Sequence, residues 1–134
     1  KNDDIIYVKM THIGNQFISI FNTLLENQLS VNHITNNAQT LQFTIPVVQL
    51  NKLQNLLETK LKEYPTTYQN VTRISIIGHG IKNDPHILHV LLKLIQEFEL
   101  QILNFEITEC KIAINLSERV DNHILETLHS QLIK

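Results

Sequence analysis

Among the side chains able to do chemistry, the seven histidines come first. His86 and His89 are three residues apart, a spacing that brings both imidazoles to one face of a helix, and His79 sits between Gly78 and Gly80. Metal ligation is one reading and exposed helix histidines the other; no second cluster of His, Cys or acidic residues has the spacing to complete a site. Glu106 and Glu109 lie near the single cysteine, Cys110. A thiol nucleophile needs a positioned base, which the sequence does not identify, so the alternative is a buried structural cysteine. Ser30, Asn32, Asn36 and Asn37 form an uncharged polar group beside a strand. Such amides and hydroxyls can hold a zwitterionic amino acid, or they make an ordinary hydrated strand edge and turn. Lastly, Arg73 to Pro85 (RISIIGHGIKNDP) runs from a β-branched strand through Gly78 and Gly80 to Asn83 or Asp84 as a helix cap, with Pro85 in the first turn. Unpaired amides at such a helix start can hold a carboxylate or phosphate, although a tight strand-to-helix turn needs the same residues. The P-loop ending and the Rossmann glycine spacing are both absent, and no complete active site is legible.

The elements that would position these groups follow from periodicity. Ile5 to Met10 reads as a strand, and a loop, Thr11 to Asn15, follows it. Phe17, Ile20, Phe21, Leu24 and Leu25 then mark a helical face. Leu29 to Ile34 and Leu41 to Ile45 read as strands joined at Asn36 and Asn37, and Leu50, Leu53, Leu56, Leu57 and Leu61 as a second helical face ending before Pro65. After a polar connector, Tyr64 to Asn70, the order returns: strand Arg73 to Gly78, helical face Ile87, Leu88, Leu91, Leu92 and Ile95, strands Ile102 to Thr108 and Lys111 to Leu116, and a last face of Ile124, Leu125, Leu128 and Leu132.

Shifted by 71, Ile20 and Phe21 fall on Leu91 and Leu92, Val31 on Ile102, Leu41 on Ile112, Phe43 on Ile114, Leu53 on Ile124 and Leu57 on Leu128; the first strands align at a shift of 69. The sequence therefore predicts an α+β protein of two tandem ferredoxin-like βαββα units, residues 1–70 and 71–134, each an antiparallel sheet with helices on one face. A fourth strand is expected from Tyr68 to Val71 in the first unit. In the second it would come from sequence before Lys1 or from a partner chain adding to an open edge. A start at Lys1 reads as a piece of a longer polypeptide.

Composition narrows the partners. A net charge of −2 with eleven scattered Lys and Arg offers no basic patch for nucleic acid. No apolar run approaches a membrane span and nothing at the start resembles a signal peptide, while one cysteine excludes an internal disulfide. The expectation is a cytoplasmic protein with neither nucleic-acid nor membrane partner.

These residues resemble the C-terminal regulatory region of aspartokinases, a tandem pair of ACT domains, over almost the whole chain. RISIIGHGIKNDPHI is similar to the family's V-S-I/V-I/V-G-x-G-M-x-x-x-P-G strand and loop, and Thr108 to Ile112 to its serine-glutamate stretch. Ser30 to Thr35 resembles the strand after the first helix, and Phe43-Thr44-Ile45-Pro46 the family's F-T-V/C-P. In place of the usual D-K-P-G loop stands His12-Ile13-Gly14-Asn15, and Asn32 replaces a common aspartate. Asn36 stands for glutamine, Gln101 for asparagine and His86 for the loop glycine.

The resemblance implies a regulatory, non-catalytic fragment, with ATP and magnesium bound only in a kinase domain preceding it and no cofactor here. An end-product amino acid, lysine or threonine, would bind between ACT units of a homodimer and inhibit the kinase. By position in the family pattern, His12, Asn15 and Gln16 would meet the α-carboxylate. Ser30, Val31, Asn32 and Asn36 would hold the ammonium and side chain, and Gln101 and Ile102 would close the pocket. A stand-alone tandem ACT regulator acting on another protein is the alternative.

Overall fold

The computed structural model describes residues 2–77, 85–108, 111–117, 123, 126 and 127. The chain forms two compact units, one of Asp4–Asn70 and one of the residues from Val71 on together with Asn2 and Asp3. In the first, β1 (Asn2–Met10), α1 (Phe17–Glu26), β2 (Asn32–Asn37), β3 (Thr40–Pro46) and α2 (Leu50–Glu58) follow in order, with a 3-10 turn over Val47–Gln49. β3 is the middle strand, antiparallel to both neighbours. The pairs Ile6/Ile45, Val8/Phe43 and Met10/Leu41 present one face, on which Ile20 and Leu24 of α1 and Leu53 and Leu56 of α2 pack. Each fully buried side chain of this kind contributes about 1.5–3 kcal/mol.

The second unit repeats the plan with β4 (Thr66–Ile77) from Val71 onward, α3 (Pro85–Glu97), β5 (Ile102–Ile107) and β6 (Lys111–Leu116). β6 is central, and Ile74, Ile112, Ile114 and Leu116 pack against Leu91, Leu94 and Ile95. His123, Glu126 and Thr127 are helical. The expected face of Ile124, Leu125, Leu128 and Leu132 lies outside the described residues.

Both helices stop in the same way. Gln28 and Glu99, 71 residues apart, take the left-handed conformation at φ 64° and 53°. The next residues close the turn: the Leu29 N–H donates to Leu24 O at 3.2 Å and the Leu100 N–H to Ile95 O at 3.0 Å. This is a Schellman stop built without glycine, so Gln28→Gly and Glu99→Gly should each stabilise the protein by about 0.5–1 kcal/mol, the cost of a side chain at positive φ less the added chain entropy. Thermal unfolding checks this; a lower midpoint in both variants would sink it.

Several sequence expectations need correction. The strand expected at Leu29 to Ile34 is Asn32–Asn37, because Leu29 is tied into the helix stop; Asn36 and Asn37 pair with Leu41 and Thr40, and the turn is Ala38-Gln39. Tyr68 to Val71 is no separate strand, and the connector Tyr64 to Asn70 is extended from Thr66. Both belong to the continuous β4, which begins where the Thr11 N–H donates to Pro65 O at 2.9 Å. Leu61 follows α2 in a turn, yet is buried. Leu25 and Leu92, expected inside, are 49% and 43% exposed. They sit one residue round from Leu24 and Leu91, a 100° rotation that turns them off the sheet.

The first strands are also offset differently. Met10 pairs with Leu41 and Ile76 with Ile112, so Met10 corresponds to Ile76, a shift of 66 rather than 69. An odd shift would have sent the core side chains of one strand to the opposite face.

Candidate functional site

The loop from Thr11 to Gln16 is folded back on the β2–β3 turn. The Ile13 side chain is buried, its N–H donates to Gln39 O at 3.1 Å, and the Gln16 N–H donates to Ile13 O at 3.1 Å. His12 and Gly14 both have positive φ, 56° and 58°. A Cβ on Gly14 would meet nothing within 4 Å, so the glycine serves the backbone conformation and not a close approach. His12 is exposed, with Nδ1 3.1 Å from Thr11 Oγ1, and Gln16 Nε2 donates to Asn15 Oδ1 at 3.2 Å. α1 has neither a side-chain cap nor an acidic residue in its first turn, so its first amides are open to an anion. Asn36, opposite Leu41, lies at this same end of the sheet.

Ser30, Val31 and Asn32 occupy the other end of β2. Val31 packs on the core, whereas Ser30 is tethered by Gln49, whose Oε1 accepts the Ser30 N–H at 2.8 Å. Asn32 Nδ2 donates to Ser30 O at 3.2 Å. The strand then bulges between Asn32 and Thr35, with His33 at φ 53°. Buried Thr44 holds the bulge: its hydroxyl donates to Asn32 O at 3.3 Å and lies 2.8 Å from His33 Nδ1. β5 carries an irregularity at the matching place, between Ile102 and Asn104.

The nine expected residues thus fall into three places. His12, Asn15, Gln16 and Asn36 lie at one end of β2, and Ser30, Val31 and Asn32 at the other; Asn32 and Asn36 pair with Thr44 and Leu41, three residues apart on β3, about 10 Å at a rise of about 3.4 Å per residue. Gln101 and Ile102 belong to the second unit, where Gln101 O accepts the Ser117 N–H at 3.1 Å and the Ser117 hydroxyl donates to Gln101 Oε1 at 3.3 Å. Gln49 was missed. Its type and spacing carry no signal, and only its hydrogen bonds reveal it. Thr44 stood in the F-T-V/C-P stretch but had no assigned role.

The other candidates separate. His86 and His89 line a cleft of about 280 Å³ on α3 with Val90, Lys93, Leu94 and Glu97. Among the described residues no group of three or more His, Cys, Asp or Glu is placed to hold a metal. Glu106 Oε1 is 3.5 Å from Lys111 Nζ. Cys110, Glu109, His79 and the Gly78 to Asp84 loop lie outside the described residues. Arg73 and Asn115, a pair suited in type to phosphate binding, are consumed by each other: Nη1 donates to Asn115 Oδ1 at 3.2 Å, and both side chains are buried. Among the described residues no helix is long and apolar enough to cross a membrane.

The chain is 26% identical over 126 residues to the aspartokinase of Rickettsia prowazekii (strain Madrid E), a match covering 88% of the chain and 28% of that protein. It therefore spans little more than a quarter of that relative's length. Its fold superposes on the regulatory subunit of aspartate kinase from Thermus flavus with a TM-score of 0.84 at 17% identity, covering 98% of this chain and 94% of that one. The chain has the fold of aspartate kinase regulatory subunits. The ligand-free regulatory subunit from Thermus thermophilus gives a TM-score of 0.80 at 18% identity, covering 97% and 94% of the two chains. A structure of aspartokinase alpha and beta subunits gives 0.82 at 13% identity, covering 99% and 95%. No family model matches the chain.

Proposed function

We propose that this chain senses an amino acid, lysine or threonine, and transmits feedback inhibition to an aspartate kinase catalytic part. The observation that carries the reading is the end-to-end likeness to separate regulatory subunits, joined to sequence identity with an aspartokinase. In a second form, the chain is a stand-alone tandem ACT regulator that acts on another protein. Either way ATP and magnesium belong to the catalytic part, and nothing in this chain is assigned to phosphoryl transfer. The effector regulates by binding the inactive state more tightly, typically by about 1–3 kcal/mol of coupling.

The proposed pocket takes the α-carboxylate at the open amides of α1, beside His12, Asn15 and Gln16. Ser30, Val31, Asn32 and Asn36 take the ammonium and side chain. Gln101 and Ile102 complete the pocket in a homodimer whose ACT units pair side by side. Calorimetric titration with a panel of protein amino acids is the test, and lysine or threonine is expected to bind. Absence of any binding at millimolar concentration overturns the sensing role, and a monomeric mass by light scattering at tens of micromolar overturns the dimer.

A further inference from the structure

We infer that the cleft between the end of α1 and the start of α2 binds a small zwitterionic amino acid. The cleft has a volume of about 360 Å³, within the range of small-ligand sites, and Glu26, Asn27, Gln28, Lys52, Asn55 and Leu56 line it. None of them belongs to the pocket proposed above. Leu56 is its buried, apolar wall. Glu26 and Lys52 carry its two charges, both exposed, and among the described residues neither forms an ion pair or a side-chain hydrogen bond.

Glu26 is the last residue of α1, whose final turn has no basic residue, and Lys52 stands in the first turn of α2, which has no acidic one. A carboxylate at a helix C-terminus faces the negative end of the helix, and an ammonium at an N-terminus faces the positive end. Each charge is thus repelled by its own helix, and the two do not relieve each other by pairing. One molecule that carries both charges relieves both. Its ammonium meets Glu26, the carbonyl end of α1 and Asn27 Oδ1, left open while Asn27 Nδ2 donates to Thr23 O at 2.8 Å. Its carboxylate meets Lys52 and the Asn55 amide. A lone cation or a lone anion satisfies one pole and leaves the other repelled. At a shift of 71, Glu97, His123 and Glu126 stand for Glu26, Lys52 and Asn55, so the second unit repeats the acid without the ammonium and the site is particular to the first.

The test is an NMR titration of the whole chain with serine, acetate and ethylammonium, followed through the backbone amides. Two exposed ion pairs support only weak binding, so the amides of Asn27, Lys52 and Asn55 should shift and saturate with serine at about 1–10 mM. Acetate and ethylammonium, each with half the charge pattern, should bind at least roughly tenfold more weakly. Glu26→Gln and Lys52→Gln should each weaken serine by about fivefold or more and, without ligand, raise the melting temperature, because each removes a charge that its helix repels. Shifts at the three amides that stay unsaturated up to about 50 mM serine overturn the inference. Acetate or ethylammonium binding as tightly as serine overturns it too. Variants that melt lower and bind serine as the wild type does would show a merely structural pair and refute the site. Saturating shifts confined to His12 to Gln16 refute this cleft while leaving the sensing role proposed above intact.

Discussion

Asn32→Asp is expected to strengthen lysine binding by about 1.5–3 kcal/mol at low ionic strength, roughly ten- to a hundredfold, the worth of a hydrogen bond between two charged groups over one neutral partner. Asn32 is exposed at the start of β2, and its Oδ1 is open once Nδ2 has donated to Ser30 O at 3.2 Å. Asp at this position has no such proton to donate and sets an anionic oxygen against the Ser30 carbonyl, so the ligand-free variant should melt below the wild type and lysine should restore the difference. Salt should shrink the gain, because both charges are exposed to screening. Calorimetry at two ionic strengths, with melting curves with and without lysine, measures each part. If the variant binds lysine no better than the wild type, the pocket is not at Asn32.

The second large effect is expected inside the second unit. Arg73 is 5% exposed and Asn115 1% exposed, facing each other on β4 and β6. Arg73 Nη1 donates to Asn115 Oδ1, and Nη2 has no hydrogen-bond partner among the described residues. Burial pushes the guanidinium below its usual pKa, and the nearby Glu106 carboxylate pulls it back up; arginine remains charged throughout. Asn115→Ala removes the hydrogen bond on a buried cation and should cost about 2–4 kcal/mol. The double variant Arg73→Met with Asn115→Leu removes the charge and its partner together while keeping volume, and it should be at least as stable as the wild type. Urea unfolding of the variants decides the matter. A double variant less stable than Asn115→Ala would show that the cation itself stabilises the unit.

Much of the fold was legible in local pattern. Alternation along β1 and β3, three- and four-residue spacing in α1 and α3, and the shift of 71 that carries Leu41 to Ile112 and Phe43 to Ile114 all follow from burial, which selects side-chain type at every second residue of a strand and every third or fourth of a helix. The uncharged composition of β2 and the departures in the first loop were equally plain. Tertiary structure alone decided the rest. All six residues of β2 are exposed, so no buried face set its limits, and the helix stop at Gln28 and the pairing with β3 did so instead. The correspondence of Met10 with Ile76, the joining of Arg73 to Asn115, and the hold of Gln49 on Ser30 depend on hydrogen bonds between groups far apart in the chain. Such bonds form only when backbone pairing brings the partners within about 3 Å, and a glutamine or asparagine has the same type whether it is hydrated or bonded, so its sequence position alone carries no trace of the partner it finds.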